Sequence, residues 1–227
     1  MKILIFGATG MVGQGVFHEC LAAADVSQVV TVGRSLTEVR HPKLVEILHP
    51  DLAHLDQIAS ELADCDACFF CLGVSSSGIS EAAYSQITFE LTLSVAETLA
   101  RVHPGMIFTY VSGSGTDSSE RGRVMWARVK GKTENALLRL PLDAYMFRPG
   151  IIQPLNGIRS KTMAYRLFYL LAAPLLPLLR RLFPDAVLTT AQLGRAMLAV
   201  ARHGASRRVL EARDIRALAE VPAPAGA

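Results

Sequence analysis

Charge is scarce in this chain and spread thinly. Asp, Glu, Lys and Arg make up 19% of the 227 residues and leave a formal net charge of +3. The basic residues form neither a block that would track a phosphate backbone nor a stripe interleaved with aromatics, so no nucleic-acid partner is expected. Aromatic residues are few, at 7%, and tryptophan occurs once, at position 126. Apolar runs of membrane-spanning length are also missing. The uncharged stretch between Arg166 and Arg180 is 13 residues long and contains Pro174 and Pro177, whereas a helix needs about 18 to 20 apolar residues to cross a bilayer. Cysteine is limited to Cys20, Cys65, Cys68 and Cys71. The last three are spaced C-x-x-C-x-x-C, which on paper resembles part of an iron–sulfur ligand set. The run falls on the apolar stretch 66 to 72, which reads as a strand. Side chains three apart on a strand point to opposite faces, so no metal is expected and the thiols are assigned to the core as reduced cysteines. Met1 and Lys2 open directly into an apolar segment, leaving no room for a cleaved signal peptide, and the expected location is cytoplasmic.

What the chain has in quantity is apolar residues, 51% of the total, enough to bury a full core. Apolar runs alternate with helical periods through the first two thirds. Strands are predicted over 3 to 6, 28 to 32, 44 to 48, 66 to 72, 106 to 112 and 144 to 148, and helices near 11 to 24, 54 to 63, 81 to 101 and 122 to 139. The stripe Tyr84, Ile87, Leu91, Val95, Leu99 sets the core face of the third helix. This is the pattern of an α/β fold, a doubly wound parallel sheet with helices on both faces. One domain is expected over 1–220, with 156–188 as a small C-terminal cap or interface segment and 221–227 as a frayed tail. Within it, 189 to 202 reads as an amphipathic helix and 208 to 211 as a short strand before a final helical turn.

The first strand runs straight into Gly7-Ala8-Thr9-Gly10-Met11-Val12-Gly13. Glycines at these places permit a tight turn, close approach of backbone to a pyrophosphate, and packing of helix on sheet. The helix that follows points its first N–H groups at the anion. All seven residues are therefore candidates for binding a dinucleotide. At the end of the second strand, where an NAD enzyme usually carries a carboxylate for the ribose hydroxyls, the sequence is Gly33-Arg34-Ser35. No carboxylate repels a 2′-phosphate there, and Arg34 with Ser35 offers a cation and a hydroxyl, so NADP(H) is expected over NAD(H). The alternative for Arg34 is a solvated loop arginine stacked on adenine.

The G-x-x-G-x-x-G spacing resembles the extended and atypical members of the short-chain dehydrogenase/reductase (SDR) superfamily, which implies a Rossmann-like NAD(P)-binding fold. The resemblance covers about residues 1 to 155. The run from Tyr110 to Lys130 and the segment Arg148-Pro149-Gly150 look most like small atypical SDR proteins, NAD-dependent epimerase/dehydratase-like and related to the TIP30/HTATIP2-like oxidoreductases. It implies that Asp51 and Leu52 lie against the adenine, with Asp51 also free to cap the next helix. Cys71, Leu72 and Gly73 would line the adenine ribose. A carbonyl-polarising serine would sit at the end of strand five, as Ser112 in preference to Ser114, the alternative being a hydroxyl in a Gly/Ser turn. Lys130 would hold the nicotinamide ribose, and the backbone of Pro149, Gly150 and Ile151 would lie beside the nicotinamide while Arg148 is structural. Glu134 and Asn135 are expected on the helix surface. Trp126 stands where relatives place the tyrosine of a Tyr-x-x-x-Lys pair, and an indole N–H cannot ionise to replace a phenol in proton transfer.

The expected function is thus an NADP(H)-binding atypical SDR acting as an oxidoreductase on a small apolar carbonyl or alcohol, with weak activity. The alternative is a non-catalytic regulatory or scaffold protein that senses the NADP pool. The substrate is a small molecule the sequence does not name. The apolar segment 163–183 has three readings: a cap over the substrate pocket, a homodimer surface, or a patch in contact with a membrane surface. The cap is preferred because substrate-binding segments follow the sixth strand in extended SDRs.

Overall fold

The computed structural model describes residues 1–155 and 187–222. The preferred cap, its two alternatives and most of the segment 156–188 lie outside the described residues, as does the tail from 223. Strand β1 (Lys2–Phe6) leads into α1 (Met11–Ala22), followed by β2 (Gln28–Gly33), β3 (Leu44–Leu48), α2 (Ala59–Leu62) and β4 (Ala67–Phe70). Helix α3 (Glu81–Ser85), a π-turn (Gln86–Glu90) and α4 (Leu91–Val102) form the next crossover, then β5 (Ile107–Val111), α5 (Met125–Leu137), β6 (Asp143–Arg148) and β7 (Ile151–Gln153). After the gap come β8 (Val187–Thr189), α6 (Thr190–His203), β9 (Val209–Glu211) and α7 (Ala212–Ala219).

Seven strands form one sheet in the order β3-β2-β1-β4-β5-β6-β9, and β7 pairs with β8 in a small second sheet. Among the described residues all pairings are parallel. The order 3-2-1-4-5-6 is that of the Rossmann-like doubly wound fold, and its strand order reverses between β1 and β4. Alternation along the strands supplies two core layers. Ile3, Ile5 and Phe69 pack with Val16, Phe17 and Cys20 of α1, with Leu193 and Met197 of α6 and with Ile215 of α7. Leu4, Phe6, Cys68 and Phe70 face the other way, onto Val95 and Leu99 of α4, Leu62 of α2 and Leu137 of α5. Helices α1 and α6 cross closely because both carry glycine at the contact. A β-carbon on Gly15 would lie 2.3 Å from that of Thr190, and one on Gly194 would lie 2.9 Å from Glu19.

Cys20 belongs to the first layer, Cys65 and Cys68 belong to the second, and Cys71 packs against the first. Burial pushes the Cys65 thiol up to about 11 and Cys71 up to about 12, so these are protonated core groups. Among the described residues no helix is long and apolar enough to cross a membrane.

Three expected helices take a different form. The stretch 54 to 63 is α-helical only over Ala59–Leu62; ahead of it the backbone makes tighter turns, His54 N donating to Asp51 O at 3.3 Å and Ile58 N to Leu55 O at 3.0 Å. The stretch 81 to 101 is interrupted by the π-turn, whose extra residue rotates the faces by one position. Thr88 and Thr92 are therefore buried in place of Ile87 and Leu91, which are only half-buried. Helix α5 starts at Met125 rather than 122, since both carboxylate oxygens of Asp117 hold the preceding turn through the N–H groups of Ser119 and Gly122.

Candidate functional site

The turn after β1 is shaped by contact. Gly7 has φ +81°, and a β-carbon there would lie 2.6 Å from the Leu72 nitrogen on the chain leaving β4. At Gly13 it would lie 2.0 Å from Gly7 O. Gly10 N donates to Gly7 O at 2.9 Å and Gly10 O accepts from Gln14 N at 2.8 Å. The first intrahelical bond is thus made, while the amides of Met11, Val12 and Gly13 head the helix with no intrahelical acceptor. No acidic residue occupies the first turn of α1, so the positive end of its dipole is left for an anion.

Beside this turn is a cleft of about 440 Å³, lined by Gly7, Ala8, Thr9, Gly10, Thr31, Val32, Gly33, Arg34, Ser35, Thr37, Leu52, Cys71, Leu72 and Gly73. It lies at the C-terminal ends of β1, β2 and β4, where open α/β sheets bind ligands. Arg34 and Ser35 are exposed on its rim, and among the described residues Arg34 is the one charged side chain in the lining. A β-carbon on Gly73 would meet nothing within 4 Å, so the wall there is open. A hollow of equal volume at the start of α6, lined by Leu155, Thr189, Gln192, Arg195 and Arg216 among others, has no glycine turn among the described residues. The anion-binding geometry favours the first.

Of the residues expected in this half, the cleft brings together Gly7, Ala8, Thr9, Gly10, Arg34, Ser35, Leu52, Cys71, Leu72 and Gly73, while Met11, Val12 and Gly13 head α1 outside its lining. Asp51 does not line the cleft and caps no helix: its exposed carboxylate accepts the Ala53 N–H and meets His54 Nδ1 at 2.8 Å. Its partner Leu52 does line the cleft. Thr31 and Thr37 line it as well and went unassigned from sequence. Thr31 is a buried polar residue third from the end of β2, and a threonine inside an otherwise apolar strand close to its ligand end is the signal that was available.

A second group gathers at the ends of β5 and β6. Ser112 N donates to Phe147 O and Ser114 N to Pro149 O, zipping the loop after β5 to the segment after β6. Trp126, Lys130 and Glu134, each one turn apart, form one stripe of α5 facing that loop. The indole covers the glycines: its ring atoms lie 3.7 and 4.0 Å from where β-carbons of Gly115 and Gly113 would stand. Lys130 Nζ donates to the carbonyl of Ser112. Burial draws the ammonium down to about 8, against the opposing pull of the Glu134 carboxylate. Gly150 is half-buried, Pro149 buried and Ile151 exposed.

Two expectations fail here. Glu134 is not a surface residue; it is 1% exposed and receives Arg148 at 2.5 Å. Ser112 is buried, and its hydroxyl points inward, donating to Glu134 Oε1 at 2.5 Å and approaching Phe147 O at 3.1 Å. A hydroxyl spent on a buried carboxylate is not presented to a substrate carbonyl; Ser114, by contrast, is exposed. Arg148 is structural as expected, also reaching Ser118 Oγ at 2.5 Å and Glu211 at 3.3 Å. Asn135 donates to Ser118 O at 2.9 Å.

A model of the NAD dependent epimerase/dehydratase family matches residues 3–120. Protein HTATIP2 of Rattus norvegicus is 28% identical over 156 residues, 66% of this chain and 62% of that protein. The mitochondrial protein fmp52-2 of Aspergillus oryzae is 25% identical over 150 residues, 65% of this chain and 66% of its own. The chain thus spans slightly less than two thirds of each relative. Among solved structures, the Bordetella bronchiseptica enzyme WbmF in complex with NAD+ superposes with a TM-score of 0.68 at 15% identity, covering 96% of this chain and 76% of that one. WbmH of the same organism, also with NAD+, gives 0.65 at 15% identity over 92% and 74%.

Proposed function

The chain belongs to the NAD dependent epimerase/dehydratase family, and from that premise we propose that it binds a nicotinamide dinucleotide, NADP(H) in preference to NAD(H), and acts slowly as an oxidoreductase on a small apolar carbonyl or alcohol. The observation that carries this reading is the Gly7–Gly13 turn, opening onto a cleft whose lining, among the described residues, has one cation, Arg34, and no carboxylate. The fit is physical: Gly7 and Gly13 leave no room for side chains against the backbone, Gly73 faces open space, and the donors are amides, a guanidinium and hydroxyls suited to phosphate oxygens. The amides of Met11, Val12 and Gly13 would hold the pyrophosphate, Arg34 and Ser35 the 2′-phosphate, and Leu52, Leu72 and Gly73 the adenosine.

When bound, the nicotinamide supplies or accepts a hydride. The chain's own groups then orient and polarise. Lys130 would hold the nicotinamide ribose and place a positive charge near the reacting oxygen, while the exposed hydroxyl of Ser114 replaces Ser112 as its hydrogen-bond donor. Trp126 contributes an apolar wall and no ionisable proton. Lacking a positioned acid lowers the rate by roughly a hundredfold to ten-thousandfold, with water in place of the acid as proton donor in reduction and acceptor in oxidation. The same tryptophan supports a second reading, a cofactor-bound regulatory or scaffold protein that senses the NADP pool. Cytoplasmic location goes with either reading, given reduced, buried thiols. NADPH consumption against a panel of aldehydes and ketones separates the two: turnover with any member supports the enzyme, and binding without turnover supports the sensor.

A further inference from the structure

The α5 stripe has a member that the reaction just described does not use. Glu134 is fully buried, yet it is bonded on both oxygens. Oε1 accepts the Ser112 hydroxyl at 2.5 Å and Arg148 Nε at 3.1 Å, and Oε2 accepts Arg148 Nη2 at 2.5 Å. Ser112 is the residue whose carbonyl holds Lys130 Nζ. One carboxylate therefore fixes the hydroxyl of the same residue whose peptide oxygen fixes the ammonium. It also anchors Arg148, which begins the Arg148-Pro149-Gly150 segment.

We infer that Glu134 is a positioning residue for Lys130: it clamps Ser112 beneath the ammonium and, from one turn along the same helix, keeps that ammonium charged. The inference deepens the proposed cofactor site and rests on it for its consequence, though not for its test. The charges around the ammonium support it. From its own helix Lys130 meets Glu134, its one opposing charge of note. From β6 comes Arg148, whose charge is taken up by Glu134 and by Glu211 of β9. From β5 comes Tyr110, buried and held far above the ordinary phenol range, hence neutral. Glu81 of α3 is paired with Arg128. Removing the Glu134 charge leaves Lys130 desolvated, near a guanidinium that is balanced less fully, by Glu211 at 3.3 Å, and both effects favour its neutral form.

The test reads Lys130 directly in the cofactor-free protein, by reductive ¹³C-methylation of the amines and NMR titration, with the Lys130 signal identified by its loss in Lys130→Arg. The wild type is expected to titrate near 8, Glu134→Gln at least half a unit lower, and Glu134→Asp, which keeps the charge, close to wild type. If Glu134→Gln does not fold, Glu134→Gln/Arg148→Met removes the guanidinium as well and is read the same way. An unchanged titration in the folded variant overturns the inference. NADPH affinity follows as a second arm: for a downward shift of about one unit, the charged fraction at pH 8 falls about fivefold while that at pH 6 hardly changes. Affinity should do likewise in Glu134→Gln. If the wild type binds no nicotinamide cofactor, the proposed function fails, and the titration still decides the role of Glu134.

Discussion

Replacing Gly7 by alanine should damage fold and site together, and the structure sets the size of the loss. Gly7 has φ +81°, a left-handed conformation that costs a residue with a β-carbon about 1 to 2 kcal/mol. The added methyl would sit 2.6 Å from Leu72 N and 2.8 Å from the Cys71 carbonyl carbon, against ordinary carbon contacts of about 3.5 to 4.0 Å. Neither neighbour is the loose end of a side chain. Cys71 N is bonded to Phe6 O at 2.9 Å, so the backbone has to shift out of the sheet, an overpacking cost of about 1 to 3 kcal/mol. The sum, about 2 to 5 kcal/mol, is a large share of the roughly 5 to 15 kcal/mol that holds a typical domain together. Gly73→Ala is the matched control, since no atom lies within 4 Å of its added methyl. Its stability should stay within about 0.5 kcal/mol of wild type, while its NADPH affinity drops if the ribose lies against that wall. Urea denaturation of both variants, with NADPH titrations on the folded proteins, checks the pair. A Gly7→Ala protein as stable and as tight-binding as wild type would refute the reasoning.

Arg34→Ala should weaken NADPH by about ten- to a hundredfold, the worth of a charge-assisted hydrogen bond of roughly 1.5 to 3 kcal/mol, and leave NADH almost untouched; equal losses in parallel titrations would remove the 2′-phosphate assignment. Trp126→Tyr should raise carbonyl reduction above the parent by restoring a phenol one turn from Lys130, and adding Lys130→Ala should abolish the gain; steady-state rates of the two variants decide. Arg148→Met strands the buried carboxylate of Glu134, which is 1% exposed, and should cost about 3 to 5 kcal/mol in chemical denaturation; a loss below about 1 kcal/mol would mean the pair contributes little.

The first βα unit was legible because everything that makes it is local. An apolar strand, three glycines at turn spacing and a helix period lie within consecutive residues, and the contact of Gly13 with Gly7 follows from that spacing, whereas the crowding of Gly7 by Leu72 comes from the chain leaving β4. The absence of an acid after β2 was equally readable, and Arg34 does line the cleft. What escaped the sequence is non-local. Glu134 meets Arg148 across the gap between α5 and β6, and no period in either segment announces that a charged residue is to be buried. One signal was available: Glu134 lies one turn beyond Lys130 and two beyond Trp126, on the helix face that carries both candidate site residues. The inward turn of the Ser112 hydroxyl follows from that pairing and fell with it. The π-turn at 86–90 was hidden for another reason, since its single extra residue leaves the composition helical and changes only the face. Asp51 failed because its own side chain satisfies the next turn, an alternative that a capping pattern does not distinguish.

The central claim is that a reduced nicotinamide dinucleotide binds along the cleft and reaches the α5 stripe. The emission of Trp126, the chain's single tryptophan, tests it directly, since energy transfer to the reduced ring quenches a nearby indole. Titration with NADPH should give saturable quenching, reached at lower concentration than with NADH and weakened by Arg34→Ala. Emission unchanged by millimolar concentrations of either cofactor would contradict the account.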